Sequence, residues 1–167
     1  MSDVSERSYE LLTEADLSRV RDLVVAKLTT VYSGTEVASQ YRDRMVCLAL
    51  CQGAAAHWVG GAHGIKDIDV WAFYRDGLPR PFPYRARWTA DLGESRFGRH
   101  PEDKGFKGRR IDILGRSIPI RTDEGPAKAV GAWLVSGTKS ASMLAQRPLV
   151  GLLPVEVFAK TIWLRKS

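Results

Sequence analysis

No apolar run in these 167 residues approaches the roughly 18 needed to cross a bilayer. Met1–Glu10 is polar and mixed in charge, with no hydrophobic core of a signal peptide, so the cytoplasm is the expected location. Cysteine is scarce. The chain has two, Cys47 and Cys51, both inside the apolar stretch 45–51. A disulfide between residues so close on one extended strand is geometrically poor, and two buried thiols are expected instead. A zinc site would need more ligands, and His57 and His63 follow too closely for finger-type spacing. There is no G-x-x-x-x-G-K-S/T loop, no G-x-S-x-G elbow and no H-E-x-x-H helix, which leaves those enzyme classes poorly supported. Internal repeats and low-complexity linkers are absent too.

What is present is ordinary globular material, 44% hydrophobic and 26% charged. Its length suits one domain over residues 1–167 with a real core. The charge is unevenly spread. Residues 1–74 carry 7 Lys/Arg against 10 Asp/Glu, a balance of −3. Residues 75–121 carry 12 against 6, a balance of +6, and residues 122–167 carry 6 against 3, a balance of +3. A basic field of this kind favours phosphate-bearing partners, nucleotides or nucleic acid.

The patterning predicts an α+β fold, a small mixed sheet flanked by helices. Thr13-Glu14-Ala15-Asp16 reads as a capping-box variant. Leu17, Val20, Val24, Leu28 and Val31 follow at helical spacing, and Ser33-Gly34 ends the run. A short helix is expected from Thr35 to about Arg42. The run 45–51 reads as a strand buried on both faces, followed after Gln52-Gly53 by a helix through His57 and Trp58. The glycines at 60, 61 and 64 call for a loop. Residues 67–74 form the clearest strand, rich in β-branched and aromatic side chains. Further strands are expected at 84–92 and 109–114, with 117–120 extending the sheet and a basic loop over 94–108. Helices are expected at 126–135 and 140–146. The spacing of Val157, Phe158, Thr161, Ile162 and Leu164 after Pro154 suggests a last helix.

Three carboxylates fall on the predicted strands. Asp67 and Asp69, two apart, project to one side of theirs. Asp112 lies between Ile111 and Ile113, where a lone carboxylate is unfavourable to bury without a partner. If the two strands are neighbours, the three converge and repel one another unless a divalent cation compensates. Magnesium suits such a set: it takes oxygen ligands, keeps several waters and is completed by substrate phosphates. Taken singly, Asp67 reads equally well as a turn residue and Asp69 as a solvent-facing one.

The stretches Leu50-Cys51-Gln52-Gly53-Ala54, Lys66-Asp67-Ile68-Asp69-Val70 and Ile111-Asp112-Ile113 together resemble the DNA polymerase β-like nucleotidyltransferase superfamily. Its pattern is an apolar strand, a Gly-Ser or Gly-Gly pair opening a helix, a D-x-D strand, and a third acidic residue on a later strand. The resemblance covers about residues 45–115. It implies a minimal catalytic domain that moves a nucleoside monophosphate from a nucleoside triphosphate, ATP first among them, to an acceptor hydroxyl. It further implies Mg2+ or Mn2+ held by Asp67, Asp69 and Asp112, and nucleotide contacts from Gly53 and Ala54. Lys66, beside Asp67, is a candidate nucleotide-binding residue that reads equally well as a solvated loop lysine. A second protein subunit often accompanies such small catalytic domains. The sequence departs from the pattern at Ala54, where Ser or Gly is usual; backbone N–H groups at the helix start can do part of that work. Gly60-Gly61 is the other candidate phosphate loop, but six residues before Asp67 it leaves too little room for an intervening helix.

Around this core, Arg96, Arg99, Lys104, Lys107, Arg109 and Arg110 form a candidate acceptor-binding face, with Lys107, Arg109 and Arg110 nearest the third aspartate. His63 in its glycine loop reads as exposed, His57 as packed. Trp71, Phe73 and Trp88 read as packing residues, and Trp58 as the aromatic nearest a bound base. The acceptor stays open among a protein hydroxyl, a nucleic-acid end, a small molecule and another nucleotide. Two rival readings stand beside the enzyme: a non-catalytic nucleic-acid-binding module using residues 75–121, and a degenerate nucleotidyltransferase fold serving as a partner-binding subunit.

Overall fold

The computed structural model describes residues 11–61, 64–82, 85–90, 109–121 and 124–166. His63, Arg96, Arg99, Lys104 and Lys107, with the basic stretch 94–108, lie outside them.

The first helix, α1 (Glu14–Tyr32), opens on the capping box its sequence announces. Thr13 Oγ1 accepts from the Asp16 N–H at 3.2 Å, and Asp16 Oδ2 accepts from the Thr13 N–H at 2.8 Å. Leu17, Val20, Val24, Leu28 and Tyr32 make its buried stripe, with Tyr32 rather than Val31 completing the last turn. Thr13→Ala should lower unfolding stability by about 1 kcal/mol, read in a urea titration, because it leaves an N-terminal N–H without its acceptor. A one-turn helix, α2 (Glu36–Ser39), follows, with Thr35 as its N-cap.

A six-stranded mixed sheet then builds the centre. Its strands are β1 (Met45–Cys51), β2 (Ile68–Arg75), β3 (Arg85–Ala90), β4 (Arg109–Ile118), β5 (Leu149–Leu153) and β6 (Thr161–Trp163). The spatial order is β3-β4-β2-β1-β5-β6. Only β2 and β4 pair in parallel; every other neighbour is antiparallel. Between β1 and β2 runs α3 (Gln52–Gly60), and between β4 and β5 run α4 (Pro126–Leu134) and α5 (Lys139–Leu144). No helix among the described residues is long and apolar enough to cross a membrane.

The alternation of strand side chains divides the core in two. Leu48, Leu50, Val70, Ala72, Ile111 and Ile113 pack on α1. Cys47, Ala49, Cys51, Trp71 and Phe73 pack on the opposite side with Val130 and Trp133 of α4 and Leu144 of α5. The continuous apolar run of β1 follows from this, since both of its faces are covered. On the α1 side Phe82 lies against Gly115, where an added Cβ would come within 2.2 Å of its ring.

The expected last helix does not form. Pro154 leads into a single 3-10 turn, Val155–Val157, and the chain reverses so that Thr161–Trp163 adds β6 to the edge of β5. The apolar spacing that mimics a helix there belongs to a tight turn and a strand. β5, too, forms where the sequence carries no expected element.

Candidate functional site

Strand β1 ends at Cys51, and the chain bends sharply into α3. Gln52 takes a left-handed conformation, φ 56°, one of two described non-glycine residues with positive φ. The first turn of α3 is thereby brought beside the N-terminal ends of β2 and β4. Cys51 pairs with Asp69 across β1 and β2, and Asp69 pairs with Asp112 across β2 and β4. Asp69 and Asp112 thus occupy equivalent places on adjacent parallel strands and share a face. Neighbouring strands lie about 4.8 Å apart, so the two carboxylates are close.

They lie in an open cleft of about 600 Å³. Asp67, Lys66 and Gly64 line it ahead of β2, with Gln52 and Gly53 at the start of α3. Trp71 and Leu114 continue the lining along the strands, Met143, Gln146 and Arg147 contribute from α5 and the residues after it, and Arg85 and Arg87 from β3. Asp67, Asp69 and Asp112 therefore line one cleft with Gly53 and Lys66.

The electrostatics follow from this crowding. Burial pushes the Asp69 carboxyl up to about 6, helped by the negative charges of Asp112 and then Asp67, while Arg87 and Arg85 oppose the rise. The two thiols are free and buried, as expected. Burial raises Cys47 to about 12; it also raises Cys51, with Asp69 and Cys47 adding to the effect.

Asp112 is nearly buried and heavily engaged on one side. Its Oδ2 accepts from Arg87 Nε at 2.9 Å and from Arg85 Nη2 at 3.2 Å. Its Oδ1 is buried with no hydrogen-bond partner. Among the described residues no three His, Cys, Asp or Glu side chains stand gathered as a ready ligand set. On the Asp112 side, Oδ2 is already engaged by two guanidiniums. The donor chemistry nevertheless suits a hard divalent ion: three carboxylates in one cleft, one of them pushed toward neutrality by burial and then by its neighbours, and one buried oxygen unsatisfied. Asp67, Asp69 and, through Oδ1, Asp112 are the groups that would hold it.

Several expected residues sit elsewhere. Arg109 does not reach an acceptor face. It is buried, and its Nη1 donates to the Lys66 carbonyl at 3.1 Å, tying the start of β4 to the segment before β2. Strand alternation gives the reason: Arg109 is three residues from Asp112 and points the other way, whereas Arg110, two away, is exposed on the Asp112 face. Ala54 does not line the cleft: it is fully buried in the core on the α1 side. An added Cβ at Gly53, by contrast, would meet only Arg147 Nη1, at 3.5 Å. Gly61 stops α3 as a left-handed cap, its N–H donating to the His57 carbonyl at 2.9 Å. That assigns the pair at 60 and 61 to ending a helix. Trp58 packs against the core on the α1 side, and the aromatic lining the cleft is Trp71, which also stacks on Phe73 and contacts Trp133.

Arg85, Arg87 and Arg147 were missed from the sequence. The first two carry a usable signal: two apart on a predicted strand, they share a face, as the two aspartates do. Arg147 carries none, because its place depends on how α5 docks. No protein-family model, curated protein or solved structure matches the chain.

Proposed function

We propose that this protein is a metal-dependent nucleotidyltransferase of the DNA polymerase β-like kind, moving a nucleoside monophosphate from a nucleoside triphosphate, ATP first among them, to an acceptor hydroxyl. The observation that carries this reading is the in-register pairing of Asp69 with Asp112, with Asp67 beside them, in a cleft that one end of α3 enters at Gly53. The order along the chain matches the superfamily's pattern: apolar strand, glycine opening a helix, D-x-D strand, third acidic strand.

Each part has a physical task in that reading. Backbone N–H groups at the start of α3 point toward the triphosphate, where the helix dipole favours negative charge. Arg147, beside Gly53, adds a guanidinium to the same place. Asp67 and Asp69 would hold a cation that offsets charge on the donor, and Asp112 would share in holding a second that serves the acceptor. Divalent ions there would offset charge on the leaving pyrophosphate and on the attacking oxygen. The acceptor oxygen bonds to the α-phosphorus as the bond to pyrophosphate breaks. The chain contributes position and charge.

Titration calorimetry and thermal melts with Mg2+ and a non-hydrolysable ATP analogue test the reading. Saturating both together should raise the melting temperature by roughly 5 °C, and neither alone should match it. Nucleotide binding indifferent to divalent ions would end the proposal.

One observation favours a rival. With Arg85 and Arg87 on Asp112, the site already holds a protein counter-charge, as expected of a degenerate fold that binds a partner without chemistry. That reading predicts no magnesium response. A basic nucleic-acid-binding module predicts metal-independent binding that weakens steeply with salt.

A further inference from the structure

The cleft carries guanidiniums at both ends and three carboxylates between them, with Lys66 beside Asp67. At the β1 end stand Arg147 and the start of α3; at the β3 end stand Arg85 and Arg87; between them lie Asp67, Asp69 and Asp112. From β1 to β3 is three strand spacings, about 14 Å. Under the nucleotidyl-transfer reading, on which this inference rests, the triphosphate takes the β1 end and the reacting phosphorus lies over the aspartates. The β3 end is then left to the acceptor.

We infer that the acceptor hydroxyl belongs to a phosphate-bearing molecule, and that Arg85 and Arg87 bind its phosphate. Both guanidiniums converge on one oxygen, Asp112 Oδ2, so two positive charges face a single carboxylate. Their side chains stay 53% and 55% exposed. Each presents a planar fork of N–H donors suited to bidentate phosphate contact. Were Asp112 to share its charge with a cation held through Oδ1, the two guanidiniums on Oδ2 would be left with less counter-charge, which an anionic acceptor would restore. Arg110, exposed on the same face and opposite Thr89, lengthens the basic strip along β3 and β4.

The test uses protein loaded with Mn2+ and the non-hydrolysable ATP analogue, with pentaadenylate, adenosine 5′-monophosphate and uncharged adenosine as acceptor probes. Arg85→Gln/Arg87→Gln should weaken pentaadenylate binding by roughly tenfold or more while analogue binding stays within about threefold. Arg85→Lys/Arg87→Lys, which keeps the charge, should retain most of the affinity, and melts on each variant check the fold. A parallel loss for the monophosphate identifies a mononucleotide acceptor; loss confined to pentaadenylate identifies a nucleic-acid strand. Unchanged pentaadenylate binding in the Gln variant overturns the inference alone, as does loss of the analogue in its place. Absence of metal-dependent analogue binding in the wild type removes the transfer reading and this inference together.

Discussion

Under the proposed nucleotidyl-transfer reading, Asp69→Asn is expected to abolish activity, by roughly 10^3-fold or more, and at the same time to stabilise the metal-free fold. The first effect follows from losing the carboxylate central to the cleft, paired in register with Asp112 and two residues from Asp67. The second follows from what that carboxylate endures without a cation. Its folded value stands at about 6 against an ordinary 3.8, with burial the largest cause and the two neighbouring aspartates next. The protonated form is therefore favoured by the fold. That contribution is complete below about 3.8, declines as pH rises, and is gone above about 6. Above that range the wild type bears a buried, repelled negative charge that asparagine lacks. Allowing for solvent screening of a side chain still partly exposed, the penalty is on the order of 1–2 kcal/mol. Urea melts in EDTA should place the variant above the wild type at pH 8 and near it at pH 4. Mg2+ with the ATP analogue should reverse the order at pH 8. A variant no more stable than wild type at pH 8 would show that the three carboxylates do not strain one another.

Gly151→Ala carries the largest expected loss of stability. A Cβ at this position in β5 would stand 2.1 Å from the Val157 carbonyl oxygen and 2.8 Å from its carbonyl carbon. Backbone, unlike a side-chain tip, has little room to give. The same glycine anchors the reversal after Pro154 from both its groups: its N–H donates to the Lys160 carbonyl, and its carbonyl accepts from the Ala159 N–H, each at 2.9 Å. Inserting a methyl group should push the turn off the strand and detach β6, at a cost of about 3 kcal/mol or more. Gly60→Ala is the control. It ends α3 with nothing within 4 Å of an added Cβ and should be neutral or slightly stabilising. Equal denaturation midpoints for the two variants would refute the account of the reversal.

The sequence was most informative where the physics is local. Thr13 and Asp16 declare a helix start within four residues, and the capping box is there in full. Asp67 and Asp69 declare a shared face through their spacing alone. Asp112 was legible as an anomaly, a charge between two isoleucines, but its place opposite Asp69 depends on β2 and β4 lying side by side in parallel, which no local signal encodes. Arg85 and Arg87 needed one more pairing, β3 on β4, and so escaped notice. Arg109 was legible and misjudged: counting two and three residues back from Asp112 separates Arg110 from Arg109. After Pro154, apolar spacing was a poor guide because the chain reverses at close quarters on Gly151, and a contact between distant backbone groups leaves no periodic trace.

The bend at Gln52 sets a requirement on the cleft's entrance. A left-handed backbone there costs a side-chain-bearing residue about 1–2 kcal/mol, and glycine would adopt it freely. The chain keeps an amide instead, on the lining of the cleft next to Gly53. A group that can both donate and accept hydrogen bonds is thus set at the doorway at the expense of backbone strain.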